Sequence, residues 1–144
     1  MRAGSRTTTF CWARNRLAGM PVRILLVEDN EVFRDALELL LGMRDDVQIV
    51  ASVGDGAAAV SAAMEHRPDV VLMDYRLPML DGIQATAQVV EALPDVAVVA
   101  LTASADAAER EALIEAGAVA CLGKDQELDE IVGAILHAAS TTAE

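Results

Sequence analysis

Residues 22–30 read VRILLVEDN, six strand-forming positions that stop abruptly at two acids and an asparagine. The apolar run, Val22–Val27, has the length of a β-strand, and Asn30 is a suitable N-cap for the helical periodicity that begins at Glu31. The same pattern then recurs along the chain. Strands are predicted over Val22–Val27, Val47–Val53, Asp69–Met73, Val96–Leu101 and Val119–Leu122. Helices are predicted over Glu31–Leu41, Gly56–His66, Gly82–Leu93, Asp106–Ala116 and Glu127–Ala139. Asp55 and Asp125 are expected as further N-caps, and Gly42 and Gly117 as stops. Phe33, Leu37 and Leu40 share a face of the first helix, as do Leu128, Ile131, Val132 and Ile135 of the last, and both stripes are expected in the core.

Strands that alternate with helices form a parallel sheet covered on both faces. The third and fourth runs are almost wholly apolar, which places them at its centre. Right-handed crossovers and short connections favour the strand order 2-1-3-4-5 for five such units. In sheets of this kind ligands gather at the carboxyl ends of the strands, where the order reverses, here after strands one and three.

Composition bounds what can bind there. A chain of 144 residues, 53% hydrophobic, accommodates one domain with a sizeable core. Its formal net charge is -12. Residues 1–20 hold Arg2, Arg6, Arg14 and Arg16 and no acid, so the other 124 residues carry 7 bases against 23 acids, a net of -16. Such a body repels nucleic acid and anionic membranes, and no direct nucleic-acid or membrane contact is expected. With only Phe10, Trp12, Phe33 and Tyr75 as aromatics, there is little with which to stack on bases. Cys11 and Cys121 make neither a disulfide framework nor a metal spacing, and no apolar run approaches the roughly 18 residues of a membrane span. A reduced, cytoplasmic protein is the expectation. Residues 1–19 read as a disordered basic arm, or as upstream of a translation start at Met20, with organelle targeting a weaker alternative; 20–140 form the domain and 141–144 a tail.

The strand ends carry the chemistry. Glu28 and Asp29 follow the first strand and Asp74 the third. Like charges about 4 Å apart repel by about 4 kcal/mol at an effective dielectric of 20, so three carboxylates there call for a compensating cation. A hard divalent ion such as Mg²⁺ suits oxygen donors. Thr102 after the fourth strand and Lys124 after the fifth bring a hydroxyl and an ammonium to the same edge. A cation-binding pair, a lone nucleophilic carboxylate, a hydroxyl and a lysine are the parts needed for phosphoryl transfer to Asp74.

With these residues in place, the sequence resembles the receiver domain of bacterial two-component response regulators over about residues 21–140. The resemblance is carried by ILLVEDN (24–30), DVVLMDYRLPMLDG (69–82), ALTA (100–103) and LGKD (122–125). Their intervals, 45 residues from Asp29 to Asp74, 28 to Thr102 and 22 more to Lys124, match the family. The resemblance implies a flavodoxin-like doubly wound (βα)5 fold and a phosphoacceptor signalling role rather than an enzyme's, beyond self-phosphorylation and autodephosphorylation. It implies Asp74 as phosphoacceptor, Asp29 as direct Mg²⁺ ligand with Glu28 acting mainly through water, and the Arg76 carbonyl as a further ligand. Thr102 would be the switch hydroxyl and Lys124 the partner of the phosphoryl group. A sensor histidine kinase is the implied partner, with a homodimer allowed and the downstream effector unspecified.

Two positions depart from the pattern. Where receivers usually carry Tyr or Phe this chain has Cys121, which leaves no ring to swing. Asp125 replaces a frequent cis-proline, so a trans bond is expected. The Lys-Asp pair and the MDYRLPMLDG loop resemble the NarL/LuxR-type branch, which carries a helix-turn-helix module that the few residues after Ala139 do not encode. The rivals are a phosphorylation-independent protein-binding receiver and a haloacid-dehalogenase-type phosphatase, against which stands Asp74-Tyr75-Arg76 in place of D-x-D. A flavodoxin-like cofactor binder is disfavoured because Glu28 and Asp29 would repel its phosphate.

Overall fold

The five apolar runs pair as a single parallel sheet in the order β2-β1-β3-β4-β5. The computed structural model describes residues 20–103 and 106–142, so the arm at 1–19 lies outside the described residues. The strands are β1 (Val22–Val27), β2 (Val47–Val53), β3 (Val70–Asp74), β4 (Ala97–Thr102) and β5 (Ala120–Gly123). The helices are α1 (Glu31–Gly42), α2 (Gly56–His66), α3 (Gly82–Ala92), α4 (Ala107–Ala116) and α5 (Leu128–Thr142).

Alternation along the strands builds two cores. Ile24, Leu26, Val70, Leu72, Val99 and Leu101 face Leu37 and Leu41 of α1 and Ile131, Val132 and Ile135 of α5. Their neighbours Leu25, Val27, Val71, Met73, Val98 and Ala100 face α2, α3 and α4 through Ala59, Ala63, Ala85, Val89 and Leu113. Every residue of β3 and β4 is buried, as their apolar runs require, and burial extends to the polar residues that end them, Asp74 and Thr102.

Several boundaries move for identifiable reasons. Asp69 stays outside β3 because its carboxylate accepts a hydrogen bond from the Arg23 N–H at 2.9 Å, and the strand instead runs into Asp74. Asp106 precedes α4 as its N-cap, accepting from the Ala108 N–H. Asp125 does not cap α5: that helix begins at Leu128, where the Glu130 carboxylate accepts from the Glu127 N–H at 3.2 Å, half of a capping box. Gly42 ends α1 without breaking it, and Met43 is the cap. On α1 the core stripe steps by four, Phe33, Leu37 and Leu41, while Leu40 is 42% exposed and so lies outside the core. The last helix reaches Thr142, so a domain boundary at 140 cuts it and 141–144 is not wholly a tail. The described residues contain no cis peptide bond, as expected at Asp125.

The loop after β3 is clamped by a glycine. The Gly82 N–H donates to the Tyr75 carbonyl at 2.8 Å, and a Cβ at this position would lie 2.4 Å from the Asp74 carbonyl oxygen and 2.7 Å from Tyr75 Cα. All of these neighbours are backbone, so relief requires the loop itself to move. Gly82→Ala should therefore lower stability by about 2–3 kcal/mol in urea unfolding; an unchanged midpoint would show that the loop yields freely.

Candidate functional site

The sheet register sets the site. Asp74, the last residue of β3, lies opposite Leu101 of β4, and Thr102 lies opposite Gly123 of β5. The Lys124 N–H donates to the Thr102 carbonyl at 2.8 Å, which holds the start of the lysine loop against the end of β4. On the other side Glu28 extends β1 by one ladder bond, its N–H donating to the Val53 carbonyl at 3.0 Å. All five predicted side chains border one cleft of about 330 Å³, together with Asn30, Tyr75, Arg76 and Ala103. A larger groove of about 460 Å³ follows the outer edge of β2 but gathers only one ionisable residue, Glu38.

The pleat divides the adjacent acids. Glu28 is 1% exposed, whereas Asp29 is exposed at the border of the cleft. One ligand atom from each of Glu28, Asp29 and Asp74 falls within 4.8 Å of the others. Lys124 Nζ bridges the two buried members, 2.9 Å from Glu28 Oε1 and 3.2 Å from Asp74 Oδ1. Glu28 Oε2 accepts from the Asn30 N–H at 3.0 Å, and its carbonyl accepts from Arg34 Nη1 at 2.8 Å. The ammonium also lies 4.9 Å from the Phe33 ring centroid, a cation–π separation.

Electrostatics follow from this crowding. Burial first, and then the neighbouring Glu28 charge, push the Asp74 carboxyl up to about 7, with Lys124 opposing the rise. Burial alone would lower the Lys124 ammonium, but its hydrogen bond to Glu28 and the Asp74 charge raise it overall. The trio is thus still short of positive charge after Lys124 is counted. Three hard oxygen donors with a proton displaced upward onto one of them fit a divalent cation such as Mg²⁺.

Three supporting residues escaped the sequence pattern. Phe33 reads as core, yet its ring also lies beneath the lysine. Arg34 anchors the Glu28 carbonyl through a contact across six residues that no motif announces. Asn30, read only as a cap, both caps α1 and steadies Glu28.

A parallel doubly wound sheet with acids collected at its switch point defines a class of α/β proteins with a ligand site at the strand ends. Within that class, residues 24–136 match the response regulator receiver domain, and the chain belongs to this family. It is 35% identical over 115 residues to the transcriptional regulatory protein LnrK of Bacillus subtilis, covering 80% of this chain and 52% of that protein. Identity to LiaR of the same organism is 37% over 114 residues, covering 79% and 54%. The chain spans about half the length of these curated relatives.

Solved structures agree. A two-component response regulator of the LuxR family from Aurantimonas sp. SI85-9A1 has a TM-score of 0.80 at 29% identity, covering 84% of this chain and 86% of that one. The receiver domain of the sensor histidine kinase PA1611 from Pseudomonas aeruginosa PAO1 has a TM-score of 0.71 at 35% identity, covering 83% and 98%, and was solved with a magnesium ion coordinated in its active-site cleft. The transcriptional regulators among these relatives, with the LuxR-family structure, agree with the NarL/LuxR-type resemblance, and the matched family is a signal receiver domain. The phosphatase and flavodoxin-like readings are not favoured. No helix among the described residues is long and apolar enough to cross a membrane.

Proposed function

We propose that this chain accepts a phosphoryl group on Asp74 from the phosphohistidine of a sensor histidine kinase and passes the signal on by a change of surface. One observation carries the proposal: Lys124 bridges buried Glu28 and Asp74 inside the acidic trio, on a sheet whose register also delivers Thr102. An Asp74 carboxylate oxygen forms the new P–O bond as the P–N bond breaks, and the histidine nitrogen leaves with the electron pair and takes up a proton. Lys124 is positioned to leave the carboxylates for the developing phosphoryl charge, and the Thr102 hydroxyl to donate to one of its oxygens.

Mg²⁺ would be held by Glu28, Asp29, Asp74 and the carbonyl of Arg76, and when bound would neutralise the oxygens of the transferring group. The chain is proposed to hydrolyse the acyl phosphate slowly on its own, which is the extent of its catalysis. The receiver unit is proposed to span residues 20–140, with its last helix running on to Thr142, and residues 1–19 to lie outside it. A cytoplasmic setting, a homodimer and an effector reached through the altered surface are part of the proposal. So is the absence of direct DNA contact by this acidic body.

Incubation with acetyl phosphate and Mg²⁺ followed by intact mass measurement tests it. The parent chain should gain one phosphoryl group and Asp74→Asn none. An equal gain by both would move the acceptor elsewhere, and no gain by the parent would favour a phosphorylation-independent binding module.

A further inference from the structure

The first turn of α4 carries a charge that is poorly provided for. Glu109 is 17% exposed in its side chain, and its Oε1 is buried with no hydrogen-bond partner among the described residues. Its other oxygen lies 4.0 Å from Nη2 of Arg76, the long limit of an ion pair. Arg76 stands two residues beyond Asp74, borders the same cleft, and exposes 78% of its side chain. Thus one residue borders the phosphoacceptor pocket while its guanidinium reaches the helix after β4.

Few fully buried side chains hold that helix. Leu113 is the only buried residue of α4. Arg110 Nη1 donates to the Cys121 carbonyl at 3.1 Å, and this bond ties α4 to β5. Glu109 supplies the corresponding tie toward the loop after β3. An element with one buried anchor and two polar tethers is free to settle in a second position when a tether is released.

Taking the phosphoacceptor reading of Asp74 as its basis, we propose that the Arg76–Glu109 ion pair is a latch between the acceptor loop and α4, opened when Arg76 turns to the phosphoryl group. An ion pair at this separation, with its arginine 78% exposed, is weak, whereas a guanidinium bonded through two N–H groups to phosphoryl oxygens is among the stronger charge-assisted pairs. Modification of Asp74 therefore draws Arg76 away. Glu109 is left half-buried without a cation, a state relieved by moving the first turn of α4 toward solvent. Arg76 thereby acts twice: its side chain steadies the incoming phosphoryl group, and its departure reports the event to α4.

The test is a double-mutant cycle on the full chain with acetyl phosphate and Mg²⁺, reading the initial rate of phosphorylation by intact mass. An Asp74 oxygen bonds phosphorus as acetate leaves with the electron pair. Arg76→Ala should slow the reaction by about threefold or more and Glu109→Gln should speed it by a similar factor, each about 0.7 kcal/mol in barrier. In the Arg76→Ala background Glu109→Gln should add nothing. Hydrogen exchange over residues 107–116 provides the second readout: faster in unmodified Arg76→Ala than in the unmodified parent, and faster in the parent once phosphorylated. A parent that never gains the phosphoryl group would defeat the acceptor assignment and the latch together. A parent that is modified normally, with the Glu109→Gln effect undiminished in Arg76→Ala or with α4 exchange indifferent to Arg76, would overturn the latch alone.

Discussion

At pH 8 without divalent cations, Asp74→Asn is expected to be more stable than the parent by about 2–4 kcal/mol, a rise in melting temperature of roughly 5–15 °C. The cause is the carboxyl pushed up to about 7 by burial and by Glu28. Between the ordinary carboxylate range and about 7, the folded chain holds a proton on Asp74 that the unfolded chain has released. Stability from this group is therefore fully present at low pH and is lost as pH rises through that window. The advantage of the asparagine variant should accordingly be near zero around pH 4, grow through pH 5–7 and level off by pH 8. Because both chains share every other carboxylate, the difference between their urea-unfolding profiles isolates Asp74. A difference that is flat with pH, or of opposite sign, would refute the account.

The same proton competes with metal. Below about pH 7, Mg²⁺ must displace it, and affinity should weaken by roughly tenfold for each further unit of pH. Saturating Mg²⁺ at pH 8 should in turn recover much of the stability that the ionised carboxylate removes.

The second large effect concerns Lys124→Met, which keeps an aliphatic stem over Phe33 but removes the ammonium from Glu28 and Asp74. Deleting one partner of a buried ion pair typically costs about 3–5 kcal/mol. With 20% of the lysine side chain exposed, about 2–3 kcal/mol is expected without metal. Mg²⁺ binding should tighten by about tenfold, since the ammonium occupies oxygens that the cation would use and repels it across a few ångströms. Calorimetric titration distinguishes the cases: weaker binding in Lys124→Met would mean that the lysine organises the metal ligands instead of competing for them. Phosphorylation by acetyl phosphate should fall despite the tighter metal, which separates the two proposed roles.

Much of this was legible in residue order. Continuous apolar runs at 70–73 and 97–101 announced a sheet centre because a strand covered on both faces has no polar side to show. The five site residues followed from their position directly after strands, and all five border the cleft. What escaped depended on three-dimensional detail. No pattern distinguishes Glu28 from Asp29, yet a single further ladder bond turns one inward and leaves the other in water. Leu40 and Leu41 are equally apolar, and only the rotation of α1 against the sheet selects Leu41 for the core. Asp125 fits a cap by composition, but the chain needs Gln126 first, whose side chain accepts from the Gly123 N–H at 2.9 Å and delays the helix to Leu128. The Arg76–Glu109 contact joins segments 33 positions apart and leaves no periodic trace.

Glu28 stands at the end of the first strand and Lys124 just past the last, so the ion pair between them closes a circuit through every crossover of the sheet. No fragment lacking β5 contains it. Mg²⁺ binding in the cleft, without phosphorylation, should hence slow only the amides that exchange by complete unwinding of the chain, leaving locally fraying helix ends untouched, and a nascent polypeptide should acquire the ability to respond in one step as its last strand docks.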